Sequence, residues 1–244
     1  YREVMAIKIH ILQCGFIRVS ETVPYGNRLD LLEKAKQVSA PDRNRVSLPV
    51  FAYLIEHPKG LILVDTGWCR EISPEGVYNP KAVSAVLPPH LAGLFHPVLP
   101  ARMAIHEQLS SLGIQPEDLD YVLLTHLDPD HVSGIMHVSK AKHIIVPEDE
   151  YFWSCRTVYR TRQPQKLWLQ YPMDRLYYRG SPLGPNHWAI DLFQDESIQM
   201  VNVPGHTDGQ AAIVIRNSGR FVLLTADAAY SARNWQEMTV PGFG

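Results

Sequence analysis

A short apolar run that ends in a cluster of histidines and aspartates constrains this sequence most strongly. Residues 121–124 read as a buried strand, and His-Leu-Asp-Pro-Asp-His follows at positions 126–131. Because side chains alternate along an extended chain, three of these residues would project to one side of it: His126, Asp128 and Asp130. His131 would approach from another direction, where the chain turns into a helix. Two imidazoles and two carboxylates at this spacing predict a site for one or two divalent metals.

A simpler interpretation is that this segment is only a loop. Asp-Pro-Asp is good turn chemistry, and a single His or Asp after a strand is commonly a loop residue. Two later apolar strands are, however, also followed by metal-capable residues, in Gly205-His206-Thr207 and in Thr225-Ala226-Asp227. A fold builds a metal site from distant sequence in this way, with ligands delivered at several strand ends. The sequence therefore favours a metal site over a plain loop.

The arrangement resembles a known family. His-x-Asp-x-Asp-His, a later Gly-His-Thr and a later Asp are similar to the metallo-β-lactamase superfamily, whose first motif is normally His-x-His-x-Asp-His. Tyr230, three residues after Asp227, makes the chain similar to the N-acyl-homoserine lactone lactonase branch, and the resemblance covers roughly residues 50–244. It implies an α/β fold of the αββα sandwich type, with two packed β-sheets and helices on the outside. A single domain over residues 1–244 is expected.

The resemblance also implies a set of metal ligands. Two divalent metals would share six side chains: His126, Asp128, Asp130, His131, His206 and Asp227. The first two motif residues and the later His would hold one metal. The third and fourth motif residues would hold the other, and Asp227 would bridge both.

The same resemblance implies a reaction, the hydrolysis of a lactone by a metal-bound hydroxide. The metals would generate that hydroxide near neutral pH and polarise the acyl carbonyl. Asp130 would hand a proton to the leaving alcohol, and Tyr230 would hydrogen-bond the developing oxyanion, unless it is plain core packing. Asp65, in Asp-Thr-Gly after a predicted strand, would orient the ligand imidazoles, or else serve as a simple turn residue.

Two departures from the family pattern affect these expectations. Asp128 stands where the family usually has His, and a carboxylate suits manganese or iron better than an imidazole does, although zinc remains the first expectation. Diiron flavoproteins of the superfamily carry Glu at this position. Lactonase relatives also have a further His well after the Asp. In this sequence no His occurs between Asp227 and Gly244. Either the sequence is truncated at its carboxyl end or the second metal lacks a ligand.

The rest of the chain alternates between strand and helix patterns. Apolar or β-branched runs predict strands at 5–12, 46–55, 61–64, 143–146, 198–203, 211–215 and 220–224. Helical spacing predicts a helix over 101–112 and helix starts near 132 and 148. Residues 29–38 would be a short helix or a loop over the site.

Three segments lack a regular pattern. Residues 15–24 are rich in turn residues, and residues 68–100 are Pro-rich without a clear period. In the second of these, the aromatic residues Trp68, Tyr78 and Phe95 could line a groove, although buried packing is the more common fate of any one of them. The spacing of its histidines does not suit ligands. Residues 151–188 mix aromatics with arginines, including Arg162. Such a mixture can bind nucleic acid, but the slightly acidic chain and the absence of a repeat favour a cap over the pocket.

Composition narrows the remaining choices. The net charge of −2 gives no electrostatic reason for a nucleic-acid or membrane partner. No apolar run is long enough to span a bilayer, and no leader pattern opens the chain. The odd, widely spaced cysteines Cys14, Cys69 and Cys155 argue against a disulfide framework and favour a reducing, cytoplasmic location.

The function expected from these patterns is a metal-dependent hydrolase that opens a lactone of the N-acyl-homoserine type. The alternatives are a hydrolase of another ester, thioester or phosphoester with the same fold, or a scaffold that no longer holds its metals. A redox diiron protein is a further alternative, but it would need a flavin partner, and no flavin-binding signal is present. The expected partner is a small ester or lactone, and the sequence gives no indication of the oligomeric state.

Overall fold

Two β-sheets form the framework of the protein. The computed structural model describes residues 7–20, 22–25 and 45–238. In chain order the strands of these ranges are β1 Lys8–Ser20, β2 Arg45–His57, β3 Gly60–Val64, β4 His96–Val98, β5 Tyr121–Leu123, β6 His143–Pro147, β7 Asp174–Leu176, β8 Arg179–Gly180, β9 Trp188–Asp191, β10 Ile198–Asn202, β11 Ala211–Asn217 and β12 Arg220–Leu224.

The helices in the described ranges are short. The α-helices are α1 Thr22–Tyr25, α2 Pro80–Val86, α3 Pro89–Leu94, α4 Ile105–Ser111, α5 Pro129–Val132, α6 Glu148–Ser154 and α7 Ala232–Glu237. Short 3₁₀ helices cover Arg70–Ile72, Pro116–Asp118, Ser133–His137, Tyr159–Thr161, Gln165–Leu167 and Ala226–Ala228.

Strand order determines which loops meet. The seven-stranded sheet has the order β4-β1-β2-β3-β5-β6-β7, and the five-stranded sheet has the order β12-β11-β10-β9-β8. Strands β3, β5, β6 and β7 run parallel, whereas the second sheet is antiparallel throughout. The carboxyl ends of parallel strands meet at one edge of a sheet, where α/β folds place their ligand sites. The residues that follow β3 and β5 therefore lie side by side.

The central parallel strands of the seven-stranded sheet are buried on both faces. Along β3, Leu61 and Leu63 pack towards the helices, while Ile62 and Val64 pack against the second sheet. Such a strand must be apolar at every position, which explains the unbroken run in the sequence. From the second sheet, Met200 and Ile213 enter the same inter-sheet core. The predicted class, two packed sheets with helices outside, is confirmed.

Most of the predicted strands agree with the structure to within two residues at each end. The predicted helix over 101–112 is confirmed only for Ile105–Ser111. The predicted element at 29–38 lies outside the described residues. All three cysteines are free, and no described helix is long and apolar enough to cross a membrane.

Two expectations for the amino-terminal half were wrong. The turn-rich segment 15–24 is largely strand, because β1 continues to Ser20 through an irregularity between Gln13 and Phe16. Gly15, with φ at +93°, provides the backbone conformation for this bulge. The Pro-rich segment 68–100 contains α2, α3 and β4, because its prolines begin helices rather than prevent them.

Candidate metal centre

Four segments meet at the edge of the sandwich where the parallel strands end. They follow β3, β5, β10 and β12, and together they carry all six side chains that the sequence predicted as ligands. The expectation of an extended chain past Thr125 was wrong in part. Pro129 begins α5, so Asp130 and His131 lie on a helical turn. The turn nevertheless directs both side chains towards the same centre.

Four ligand atoms form a first subsite. His206 Nε2 lies 3.1 Å from Asp128 Oδ2 and 3.3 Å from Asp227 Oδ2. His126 Nε2 lies 3.8 Å from the same oxygen of Asp128 and 4.0 Å from that of Asp227. A tetrahedral metal with bonds of about 2.0–2.1 Å separates its ligand atoms by roughly 3.3–3.4 Å. The four distances, 3.1–4.0 Å, span this separation, so these atoms lie close enough together to bind one ion.

A second subsite lies on the other side of Asp227. Its Oδ1 atom is 3.1 Å from His131 Nε2, and Asp130 Oδ2 is 3.7 Å from the same nitrogen. The two oxygens of Asp227 thus face different subsites. This is the geometry that a bridging carboxylate requires.

Hydrogen bonds fix which nitrogen of His126 faces the centre. Thr125 Oγ1 donates its only proton to Asp65 Oδ2 at 2.8 Å, so it can only accept from His126 Nδ1, 3.0 Å away. The neutral His126 ring therefore carries its free lone pair on Nε2. That atom is buried and has no hydrogen-bond partner within the described residues.

Asp65 fixes His131 in the same way. Its Oδ2 atom lies 2.8 Å from His131 Nδ1, and its Oδ1 atom accepts from Thr125 N at 2.8 Å. The backbone of the next residue is also tied to this helix, because Thr66 N donates to His131 O at 2.8 Å. A ligand imidazole commonly donates its second nitrogen to a carboxylate in this manner. Asp65 is therefore an orienting residue rather than a simple turn residue.

Arg162 enters the first subsite and was not predicted as a site residue. Its Nη2 atom is 2.8 Å from Asp128 Oδ2 and 2.6 Å from His206 Nε2, and its Nε atom is 3.0 Å from both oxygens of Asp128. Nη1 donates to His206 O at 2.8 Å. The sequence separates Arg162 from these partners by more than thirty residues, so no spacing rule could assign it.

The contacts of His206 determine the role available to Tyr230. An arginine side chain only donates, so His206 Nε2 accepts from Arg162 and Nδ1 carries the proton of the neutral ring. The Tyr230 hydroxyl lies 3.2 Å from that Nδ1 and therefore accepts from it. Its own proton remains available for a further acceptor in the pocket.

Burial and charge set opposite preferences on the acidic groups. Burial disfavours ionisation of Asp128, but Arg162 and His206 more than offset this effect and hold the pKa of the carboxyl well below its ordinary value. Burial similarly opposes ionisation of Asp227, and the neighbouring imidazoles lower its pKa despite this. For Asp130 burial prevails, and the pKa is raised to about 7. Burial also holds the pKa of His126 well below 6.5, so that ring is neutral.

A buried acid joins the segments that carry these ligands. Glu150, on α6, accepts from Leu127 N at 2.9 Å, from Thr207 Oγ1 at 2.6 Å and from Gln163 Nε2 at 2.7 Å. Gly209 packs so closely that a Cβ atom there would lie 2.0 Å from Glu150 N. Glu150 therefore stabilises the relative positions of the two ligand loops and of the segment that carries Arg162.

The imidazoles and carboxylates of the two subsites are chemically suited to bind a pair of divalent cations. Imidazole nitrogens and carboxylate oxygens are the ligands of zinc, manganese and iron sites. The unpaired lone pair of His126 Nε2 is costly to bury, and a cation in the first subsite would satisfy it. In the described chain, the atoms of His126, His206 and Asp227 that could bind one ion lie within 4.8 Å of one another.

The candidate centre forms the polar end of a cavity of about 410 Å³. Most of the remaining lining is apolar: Ile17, Val19, Val23, Leu48, Val50, Phe51, Leu91, Leu94 and Phe95. Of the three aromatic residues considered for a groove or for buried packing, only Phe95 lines the cavity, whereas Trp68 is fully buried and Tyr78 stacks on His96. His90, which the sequence did not assign to the site, lines the cavity. Arg162 and Thr161 bring the predicted cap to this cavity.

The fold agrees with what comparison with known proteins shows. The sequence profile of the metallo-beta-lactamase superfamily matches residues 92–241, which is more than half of the chain. The chain therefore belongs to the metallo-beta-lactamase superfamily.

Within this superfamily the chain is similar to enzymes that open lactones. The N-acyl homoserine lactonase AttM of Azorhizobium caulinodans is 30% identical over 210 residues, which cover 80% of this chain and 71% of that protein. The N-acyl homoserine lactonase AiiA of Bacillus thuringiensis subsp. kurstaki is 29% identical over 202 residues, 81% of this chain and 71% of the relative. A solved N-acyl homoserine lactone hydrolase, with the product N-hexanoyl-L-homoserine at its catalytic metal centre, matches in fold with a TM-score of 0.71. It is 24% identical to this chain, and the match covers 96% of this chain and 81% of that one.

Proposed function

We propose that this protein is a metal-dependent hydrolase that opens the ring of an N-acyl homoserine lactone. One observation carries the proposal: the Nε2 atoms of three imidazoles converge with Asp227 at the polar end of an apolar cavity. The similarity to AttM and AiiA supports this substrate class over other esters. By this activity the protein would act in quorum quenching.

The cavity has the two parts that such a substrate needs. An N-acyl homoserine lactone combines a flexible acyl chain with a small polar ring. The apolar walls formed by residues such as Leu48, Phe51 and Leu94 would bind the chain through burial of its methylene groups, about 0.8 kcal/mol for each. The ring would then lie beside Asp130, Asp227 and Tyr230.

We propose that His126, Asp128, His206 and Asp227 hold one divalent cation and that Asp130, His131 and Asp227 hold the other. When bound, such a pair lowers the pKa of water and polarises a carbonyl oxygen. Zinc is the first expectation. Manganese and iron are alternatives, because Asp128 is a hard, anionic ligand.

Two residues of the chain would act on the substrate directly. The proton of the Tyr230 hydroxyl is free of His206, so it can be donated to the oxygen that becomes negative when the ring carbonyl is attacked. Asp130 lines the cavity next to His131 and would transfer a proton to the alcohol that leaves as the ring opens. We place this reaction in the cytoplasm, as the unpaired cysteines suggest.

Comparing substrate classes tests this proposal. Protein supplied with zinc would be assayed with an N-acyl homoserine lactone, an acyl thioester and a phosphodiester, with the acid released and the mass of the product both measured. We expect the lactone to be hydrolysed fastest, with one water added. Faster hydrolysis of either other substrate would replace the lactone assignment. Less than one metal per chain after zinc is supplied would indicate a scaffold without a metal centre.

A pair of variants tests the residue assignment. Asp130→Ala should abolish lactone hydrolysis while the protein remains folded. Asp174→Ala is the control, because Asp174 is an exposed residue on β7 whose side chain lies near His143, away from the cavity. Full turnover by the Asp130 variant would refute its role.

A further inference from the structure

The guanidinium of Arg162 contacts two of the four atoms that would bind a cation in the first subsite. Nη2 lies 2.8 Å from Asp128 Oδ2 and 2.6 Å from His206 Nε2, and these two atoms are 3.1 Å apart. Both of these atoms are proposed metal ligands. Arg162 therefore contacts the proposed ligand atoms themselves, and not the other atoms of these side chains alone.

Arginine and a metal cannot use His206 Nε2 together. A neutral imidazole has one nitrogen with a free lone pair, and the other nitrogen of this ring faces the Tyr230 hydroxyl. The lone pair on Nε2 can accept from Arg162 or bind a metal, but it cannot do both. The guanidinium remains positively charged at any working pH. It would therefore repel a metal cation in the same subsite.

Arg162 satisfies only part of this subsite. His126 Nε2 remains without a partner among the described residues, although the side chain of His126 is fully buried. A divalent cation would bind this atom together with the other three ligand atoms. The subsite can thus hold the arginine with one nitrogen unpaired, or hold a metal once the arginine has left.

The two subsites differ in this respect. The ligand atoms of the second subsite, on Asp130 and His131, have no hydrogen bond to Arg162 or to another cationic side chain of the described chain. Carboxylates face both nitrogens of His131, Asp65 at Nδ1 and Asp227 at Nε2. A cation in the second subsite would therefore displace at most a proton, whereas a cation in the first subsite would have to displace the Arg162 side chain.

We propose that Arg162 competes with the divalent cation for the first subsite, so that the second subsite fills first and more tightly. This inference rests on the proposed metal centre and adds an order of filling to it. The backbone around Arg162 stays in place during the exchange, because its neighbour Gln163 is bonded to Glu150 and Ser154. The side chain alone withdraws towards the cavity, which it reaches with 30% of its surface exposed.

Metal titration of the full chain tests the competition. Metal-free protein would be titrated with Co²⁺, followed by visible absorbance and calorimetry, and the metal retained after gel filtration would be counted. Wild-type protein should retain close to one metal per chain and bind the second weakly. Because charge-assisted hydrogen bonds hold Arg162 in place, we expect Arg162→Met to bind the second metal roughly 10- to 100-fold more tightly and to retain two.

Two further variants make the outcome specific. Arg160→Met removes an exposed arginine from the adjoining 3₁₀ turn and should titrate like the wild type. Asp128→His removes the carboxylate that Arg162 pairs with and supplies a neutral ligand, so it too should strengthen the weak site, even if Arg162→Met folds poorly.

The titrations separate failure of the inference from failure of the proposed function. Two equally tight sites in the wild type, unchanged by Arg162→Met, would overturn the competition and leave the metal centre intact. The competition would also be overturned if neither Arg162→Met nor Asp128→His strengthened the weak site. Absence of metal from every protein would overturn the metal centre, and the competition with it.

Discussion

The carboxylate of Asp65 lies 2.8 Å from Nδ1 of His131 and thereby directs Nε2 of that ring to Asp227, 3.1 Å away. The contact joins the end of β3 to α5, two elements that are far apart in sequence. It prepares one ligand of the second subsite without contributing to the proposed ligand set. The orientation of the site therefore depends on a residue beyond the six proposed ligands.

Replacing Asp65 by Asn should weaken the second subsite with little change in fold. Asp65 has φ at +57°, a conformation that Asn also tolerates, so the variant keeps the backbone while it removes the charge and one of the two acceptor oxygens. Substitutions of residues that support metal ligands typically reduce metal affinity about 10- to 100-fold, and we expect a loss of that size by calorimetric titration. Wild-type affinity in Asp65→Asn would show that the carboxylate does not orient the ring.

Tyr230→Phe should lower turnover while leaving bound metal unchanged. The variant keeps the ring beside His206 but removes the hydroxyl proton that would meet the developing oxyanion. Losing one such donor should reduce kcat roughly 10- to 100-fold, with a smaller effect on KM. Steady-state kinetics of lactone opening would measure this. If the rate does not change, Tyr230 is a packing residue.

Gly209→Ala should destabilise the loop that carries His206. The added methyl group would lie 2.0 Å from Glu150 N and 2.3 Å from its Cα. These are backbone atoms, so the clash can be relieved only by moving the main chain. Overpacking of this kind typically costs about 1–3 kcal/mol, which urea unfolding can measure. Gly180→Ala is the matched control, because nothing lies within 4 Å of the added atom. Equal stabilities of the two variants would contradict the close approach.

The buried carboxyl of Glu150 should make the stability of the metal-free protein depend on pH. Burial raises the pKa of Glu150 above its ordinary value, although Thr207 and the Leu127 amide partly offset this. Below the unfolded pKa the group is neutral in both states. As pH rises through the higher folded pKa, the unfolded chain ionises freely and the folded chain does so at a cost, so stability is lost.

Comparison with Glu150→Gln isolates this contribution, because the amide does not titrate. As the pH is raised from about 4.5, near the ordinary pKa of Glu, to about 8, the free energy of unfolding of the variant should increase relative to that of the wild type. Urea unfolding at both pH values gives the difference. A constant difference would mean that Glu150 does not titrate differently in the folded state.

The framework and the convergence of the candidate ligand side chains could be predicted because they depend on local patterns. Buried strands such as β3 and β5 must be apolar at each position, and metal-capable residues follow them directly. Parallel pairing then brings those strand ends together. The same reasoning missed the extension of β1, because Gly15 signals a turn locally and a bulge only when β2 is present to pair with it.

Arg162 shows where sequence patterns stop being informative. It is one of several arginines between residues 151 and 188, and only the folded chain brings it to Asp128 and His206. Nothing in the sequence distinguishes it from Arg160, which is exposed nearby. Pairings across a fold depend on tertiary geometry, which a single sequence does not specify residue by residue.

Removal and return of metal tests the central claim most directly. Chelated protein would be compared with the same sample after one and two equivalents of zinc, with the opening of an N-acyl homoserine lactone followed beside the metal content. We predict no hydrolysis without metal and recovery of the rate as metal is returned. Hydrolysis by folded, metal-free protein at the full rate, or none by fully loaded protein, would contradict the account.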